Sequence, residues 1–272
     1  MIPLLRSRRN LFLAILGLLS LAVIARTNSI GRAYNFVYLG TRHGNNDDVD
    51  KPKEDKPKTP KYFHEPGGSL ARLHYDVRFF DDEVAYGEHT EVLRNLIRSY
   101  LEVLGSHGAE TWLAHGTLLG WWWNGKIMPW DYDLDVQVSN HTLTWLAQNL
   151  NNTEHNYTTE GLVRGTLKRY LLDINPHHDE IDRGDGRNII DARWIDMQNG
   201  MFIDITGVRE REEDERPGVW SCKNKHRYQA RDLWPLRTTV FEGVKAKIPY
   251  SFQGILSDEY GDKSLVAEEW HG

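Results

Sequence analysis

Apolar residues recur at Val92, Leu93, Leu96, Ile97, Tyr100, Leu101 and Leu104. This i, i+3, i+4 spacing predicts an amphipathic helix over Glu88 to Leu104, ending near Gly105. Thr111 to Gly116 (TWLAHG) reads as a short strand and turn, and the following TLLGWWW as a helix that Asn124-Gly125 breaks. Leu134 to Val138 is the next strand, and His141 to Leu150 the next helix. Further on, Ala192 to Val208 (ARWIDMQNGMFIDITGV) holds two apolar strands about Asn199-Gly200, the residue pair favoured by tight hairpins. Helices mixed with a largely antiparallel sheet predict an α+β domain.

The N-terminus follows a different pattern. Arg6, Arg8 and Arg9 precede Leu11 to Ala25, a run without charge that Arg26 closes. A typical bilayer needs about 20 apolar residues, so this span is short. One reading is a type II signal-anchor in a thin early-secretory membrane, with residues 1–26 as cytosolic tail and anchor. The other is a cleaved signal peptide ending at Val23-Ile24-Ala25. Residues 27–61 read as a flexible stem, because Thr41 to Lys61 is polar and rich in Pro and Lys. Three sequons, at Asn140, Asn151 and Asn156, agree with a lumenal domain over 62–272. The resulting expectation is a Golgi membrane protein with its folded domain in the lumen.

Composition removes several classes of function. The 272-residue chain carries a formal net charge of −6, which argues against a general nucleic-acid binder. Its one cysteine, Cys222, excludes an intrachain disulfide and a Cys-rich zinc site. Ten Trp and twelve Tyr suit either stacking on sugar rings or a large aromatic core.

The candidate chemistry lies in MPWDYDLDVQV, Met128 to Val138. In extended conformation Asp131, Asp133 and Asp135 share one face, while Tyr132, Leu134 and Val136 share the other. Like charges aligned this way repel. A divalent cation that prefers hard oxygen ligands, Mg²⁺ or Mn²⁺, would relieve the repulsion and leave room for phosphate oxygens. Upstream, Gly116 would let a phosphate approach the backbone, and the Thr117 hydroxyl at a helix start would hold it. Downstream, Asp204 stands in an apolar strand, where a carboxylate needs a partner. A metal shared with Asp133 and Asp135 would be that partner.

Gly-Thr, then Asp-x-Asp on a strand, then a lone Asp on a later strand resembles the polymerase-β-type nucleotidyltransferases. The longer string HGTLLGWWWNGKIMPWDYDLDVQV resembles the LicD/fukutin family. The resemblance continues through RWIDMQNGMFIDIT and through Asp232 to Gly261, covering roughly residues 85–271. Within that family the chain looks most similar to fungal Golgi proteins of glycan mannosylphosphorylation. The resemblance implies a polymerase-β-like fold with a mixed, largely antiparallel sheet. It also implies transfer of a phosphorylated sugar or alcohol from a nucleotide-sugar donor to a glycan acceptor. By the same resemblance Asp133 and Asp135 are metal ligands and Asp204 is the third catalytic carboxylate. Asp131 matches the family's first Asp and orients its neighbours. Lys126 is either a donor-phosphate contact or a solvated loop lysine. Tyr132 departs from the Asp often found there, on the face away from the metal.

Two roles stay open at this point: an active phosphotransferase, or a non-catalytic regulator in complex with a mannosylphosphate transferase. Other clusters read more plainly. Trp121, Trp122 and Trp123 cannot share one helix face, so at least one packs in the core and another is a candidate for stacking on a sugar or base. His177-His178-Asp179-Glu180 reads as a solvated loop, and Cys222 with His226 as packing.

Overall fold

The computed structural model describes residues 60–159, 165–180, 187–211, 217–224 and 226–266. The expected tail and anchor, and nearly all of the expected stem, therefore lie outside the described residues. No helix among the described residues is long and apolar enough to cross a membrane.

Helix α1 (Tyr86–Ser106) exceeds the expected helix by two residues at each end. Leu93, Leu96, Ile97, Tyr100, Leu101 and Leu104 are buried along one face, which packs against strands of the fold. Each such side chain contributes about 1.5–3 kcal/mol on full burial, far above the tenths that separate helix propensities. Packing fixes this helix.

After α1 come β1 (Thr111–Leu113), α2 (His115–Asn124), β2 (Asp135–Ser139) and α3 (Asn140–Asn149). Gly125 ends α2 at φ 69°, and its N–H donates to the Trp121 carbonyl. That left-handed closure is the expected Asn-Gly break. Ser139 caps α3 by accepting from the Thr142 N–H. Then follow β3 (Thr153–Thr158), β4 (Leu167–Ile174), β5 (Ala192–Asp196) and β6 (Phe202–Glu210). Two short strands, β7 (Val219–Ser221) and β8 (Arg227–Gln229), lead to α4 (Ala230–Leu233). The chain then forms β9 (Arg237–Phe241), β10 (Val244–Ile248) and α5 (Phe252–Tyr260).

The main sheet has the order β1-β2-β6-β5-β4-β3, with β7 and β8 continuing from β6. Its pairings are antiparallel except one: β2 and β6 run parallel. β9 and β10 form a separate hairpin. The α+β composition and largely antiparallel sheet match the sequence expectation.

Val136, Val138, Ile203, Ile205 and Trp194 join α1 in the larger core. On the opposite face Trp112 and Val208 pack with Cys222, Tyr228 and Leu233 in a smaller cluster. Strand side chains alternate, so Asp135, Asp204 and Arg193 belong to this second face. The three tryptophans of α2 are half-buried, Trp121 and Trp122 against the larger core, and their indole N–H groups donate to the Thr239 hydroxyl and to the Leu265 and Ser264 carbonyls.

Candidate functional site

The aspartate string is only partly a strand. β2 begins at Asp135, while Asp131 follows a turn in which its N–H donates to the Met128 carbonyl. The expected single-faced row of three carboxylates is thus reduced to one carboxylate on the sheet and two on the segment approaching it. Asp133 is exposed and Asp135 half-buried. Tyr132 lies against His89, with ring centroids 4.5 Å apart.

Register then brings in the later strand. Asp135 is the direct partner of Asp204 in the parallel β2–β6 pair, and Arg193 is the partner of Asp204 in the antiparallel β5–β6 pair. Asp173 is opposite Arg193 on β4. Partners in register point to the same face, so Asp135, Asp204, Arg193 and Asp173 form one polar row across four strands.

The row is neutralised from one side. Arg193 Nε donates to Asp204 Oδ1 at 2.8 Å, and Arg193 Nη2 donates to Glu65 Oε1 at 2.7 Å. Its guanidinium lies 3.6 Å from the Phe202 ring centroid and 4.8 Å from that of Phe63. Asp173 pairs with Arg78 at 2.7 Å and accepts from the Tyr62 hydroxyl. The sequence reading gave Asp204 a metal as its partner; the structure gives it Arg193.

At the Asp135 end, negative charge accumulates. Burial and the adjacent Asp133 hold the Asp135 carboxyl well above the usual carboxylate range. The same two causes push Asp131 up to about 7. Asp204 is raised by burial, with Arg193 opposing.

The turn upstream is built against this end. Thr117 is buried, and its hydroxyl accepts from the Asp135 N–H at 2.8 Å. Its place in the structure is therefore as a support for the start of β2. A Cβ added to Gly116 would meet nothing within 4 Å, so space beside the first turn of α2 is open. Lys126 is exposed on the loop between α2 and Asp131. The described site thus joins Asp135 with Asp204 and seats Thr117 under it, while Lys126 stays on the approaching loop.

Three residues on this side were not read as functional from the sequence. His115 opens α2 at φ 49°, a left-handed conformation uncommon outside glycine. Its Nδ1 lies 2.6 Å from Glu259 Oε1 on α5. Burial disfavours the imidazolium, but the Glu259 carboxylate outweighs it and raises His115 to about 9. The His226 ring lies tilted at 4.3 Å from that of His115, and burial with this neighbour lowers its pKa to about 4. The left-handed His115 had no sequence signal, because positive φ is not encoded in a histidine. Glu259 lay in a resembling segment without a strand or motif to aim it.

The donor set at Asp133 and Asp135 is oxygen only, which fits Mg²⁺ or Mn²⁺ and disfavours softer metals. Asp204 Oδ1 is engaged by Arg193, so Asp204 could offer its other oxygen alone.

Residues 108–251 match a family model described as LicD/FKTN/FKRP, nucleotidyltransferase domain. Among curated relatives, mannosyltransferase regulator 4 of Saccharomyces cerevisiae is 34% identical over 159 residues, covering 54% of this chain and 13% of that protein. Mannosyltransferase regulator 14 of the same yeast is 38% identical over 120 residues, covering 43% and 12%. The ribitol 5-phosphate transferase FKRP of Mus musculus is 26% identical over 184 residues, covering 65% and 33%. The matched region is thus a small part of the two yeast relatives and a third of the mouse one.

Proposed function

The chain belongs to the LicD/FKTN/FKRP nucleotidyltransferase-domain family, and from that premise we propose that it transfers a phosphorylated sugar or alcohol from a nucleotide diphosphate donor to a glycan hydroxyl. The observation that carries this reading is the in-register placement of Asp204 beside Asp135, with Asp133 on the segment leading to it. Mg²⁺ or Mn²⁺ held by Asp133 and Asp135 would neutralise charge on the donor diphosphate. The residues of the chain have separable parts. Thr117 fixes the backbone of Asp135, and Arg193 fixes the Asp204 carboxylate. The open space beside Gly116 would admit a phosphate to the positive end of α2. Asp131, Asp135 and Asp204 all have raised proton affinity, so one of them can accept the acceptor hydroxyl's proton.

Mannose phosphate from a donor such as GDP-mannose is the finer proposal, in line with the yeast relatives' involvement with a mannosyltransferase. Residence in the Golgi membrane as a type II protein, through residues 1–26, belongs to the same proposal. The names of the two yeast relatives favour a second reading, in which the domain regulates a separate mannosylphosphate transferase.

One measurement separates the two readings. Purified full-length chain is incubated with GDP-mannose, a mannan acceptor and Mn²⁺, and nucleotide release is followed. The transferase reading expects acceptor-dependent release that Asp133→Asn removes. Release no greater than background, with the protein folded, would favour the regulator.

A further inference from the structure

We propose that His115, His226 and Glu259 form a second cation site, suited to zinc and distinct from the aspartate pair. This goes beyond the transfer reading and does not depend on it. The three residues come from separate elements: the start of α2, the segment just before β8, and the last turn of α5. Among the described residues they are a group whose nitrogen and oxygen ligand atoms all lie within 4.8 Å of one another. Glu259 Oε1 is 2.6 Å from His115 Nδ1 and 4.0 Å from His226 Nε2. Modest rotation of these side chains closes them around one ion, since zinc binds nitrogen and oxygen at about 2.0–2.2 Å.

Ligand chemistry distinguishes this site from its neighbour. Two imidazoles and one carboxylate form a borderline-soft set that takes zinc with a fourth position left open. Asp133 and Asp135 offer only hard oxygens, which magnesium and manganese prefer. The chain therefore presents two ligand sets of different preference on one face of the sheet.

Supporting contacts point the same way. Cys222 Sγ lies 3.3 Å from His226 Nδ1, which fixes the ring and turns Nε2 towards Glu259. His115 is held at φ 49°, and such strain persists where the surroundings impose it, commonly at binding sites. All three residues are half-buried, so ligands are close to preorganised yet open to an entering ion.

Zinc alone is the probe. The full-length chain, stripped by chelator in detergent, is titrated with Zn²⁺ against a chromogenic chelator at pH 7.5. The expected result is one equivalent bound with Kd below about 1 µM, in line with apparent zinc affinities of dedicated sites. His226→Gln and Glu259→Gln should each weaken it by at least about 100-fold, beyond the 10–100-fold typical of supporting residues. Asp133→Asn should leave it in place. Absence of the zinc equivalent, its retention in His226→Gln, or its loss in Asp133→Asn would each overturn the proposal. Should a variant fail to fold, the Co²⁺-loaded native chain decides. Intense visible absorption of a four-coordinate nitrogen and oxygen site supports the proposal, and the weak spectrum of six-coordinate cobalt overturns it.

Discussion

Asp135 and Asp204 stand opposite one another across the parallel β2–β6 pair, and Arg193 bonds to the second from the adjacent strand. The face therefore grades from a neutralised end at Arg193 to an acidic end at Asp131, Asp133 and Asp135. A diphosphate with its cation is a natural occupant of the acidic end.

Arg193 is 3% exposed and bonds to both Asp204 and Glu65. Removing one member of a buried ion pair leaves the other charge uncompensated, at a cost of about 3–5 kcal/mol. Arg193→Met should lose stability of that order in urea unfolding. Arg193→Met with Asp204→Asn should recover part of it, because the stranded charge is gone. Strict additivity of the two changes would show that the pair is not coupled.

His155 gives a pH test away from the site. Its ring lies 5.0 Å from that of Trp194, and burial followed by the neighbouring His107 lowers its proton affinity. The folded pKa lies below the unfolded one, so the unfolded chain binds the extra proton. Stability is therefore full above about pH 6.5 and lost as pH falls through that value and below. His155→Gln should gain on the native chain at pH 5 relative to pH 8 in paired melts. A gap independent of pH would refute the burial account.

Gly120 lies where α2 meets the loop that carries Lys126. A Cβ there would meet the Lys126 carbonyl oxygen at 2.6 Å and Met128 N at 3.3 Å. Backbone on both sides cannot rotate away, so the loop must shift. Gly120→Ala should cost about 1–3 kcal/mol, the range for overpacking, and should reduce transfer beyond its effect on stability by displacing Asp131 and Asp133. Unchanged stability would mean that the loop yields freely.

How far the sequence disclosed this arrangement varies with the strength of the local pattern. α1, the break at Gly125 and the hairpin following Ala192 were legible because periodicity or turn chemistry determines them. β3 was hidden by its polar composition, although Tyr157 is buried and Thr153 and His155 are more covered than Glu154 and Asn156. Arg193 was missed through loop length. A two-residue turn at Asn199-Gly200 would oppose Asp204 with Ile195, whereas the longer connection observed opposes it with Arg193. Parallel pairing of Asp135 with Asp204 depends on some seventy intervening residues, and no local signal sets that register. Glu259 and His226 reach His115 only through tertiary packing.

The last prediction sets stability against function at Asp135. Burial and Asp133 raise its folded pKa above the unfolded value of about 3.9. For a carboxyl this means that the associated stability is present at low pH and is lost as pH rises through the folded pKa. At neutral pH without metal, the native chain therefore holds a disfavoured charge. Asp135→Asn keeps the shape and removes that charge, so it should melt higher than the native chain at pH 7.5 in chelator, by the equivalent of about 1 kcal/mol. The advantage should shrink towards pH 4. Adding Mn²⁺ should raise the melting temperature of the native chain and leave that of the variant unmoved. Transfer should fall by on the order of 100-fold or more, the scale expected when a group stabilising developing charge is removed. A variant that melts lower than the native chain, or that still gains stability from Mn²⁺ to the native extent, would show that Asp135 is not the carboxylate that the cation relieves.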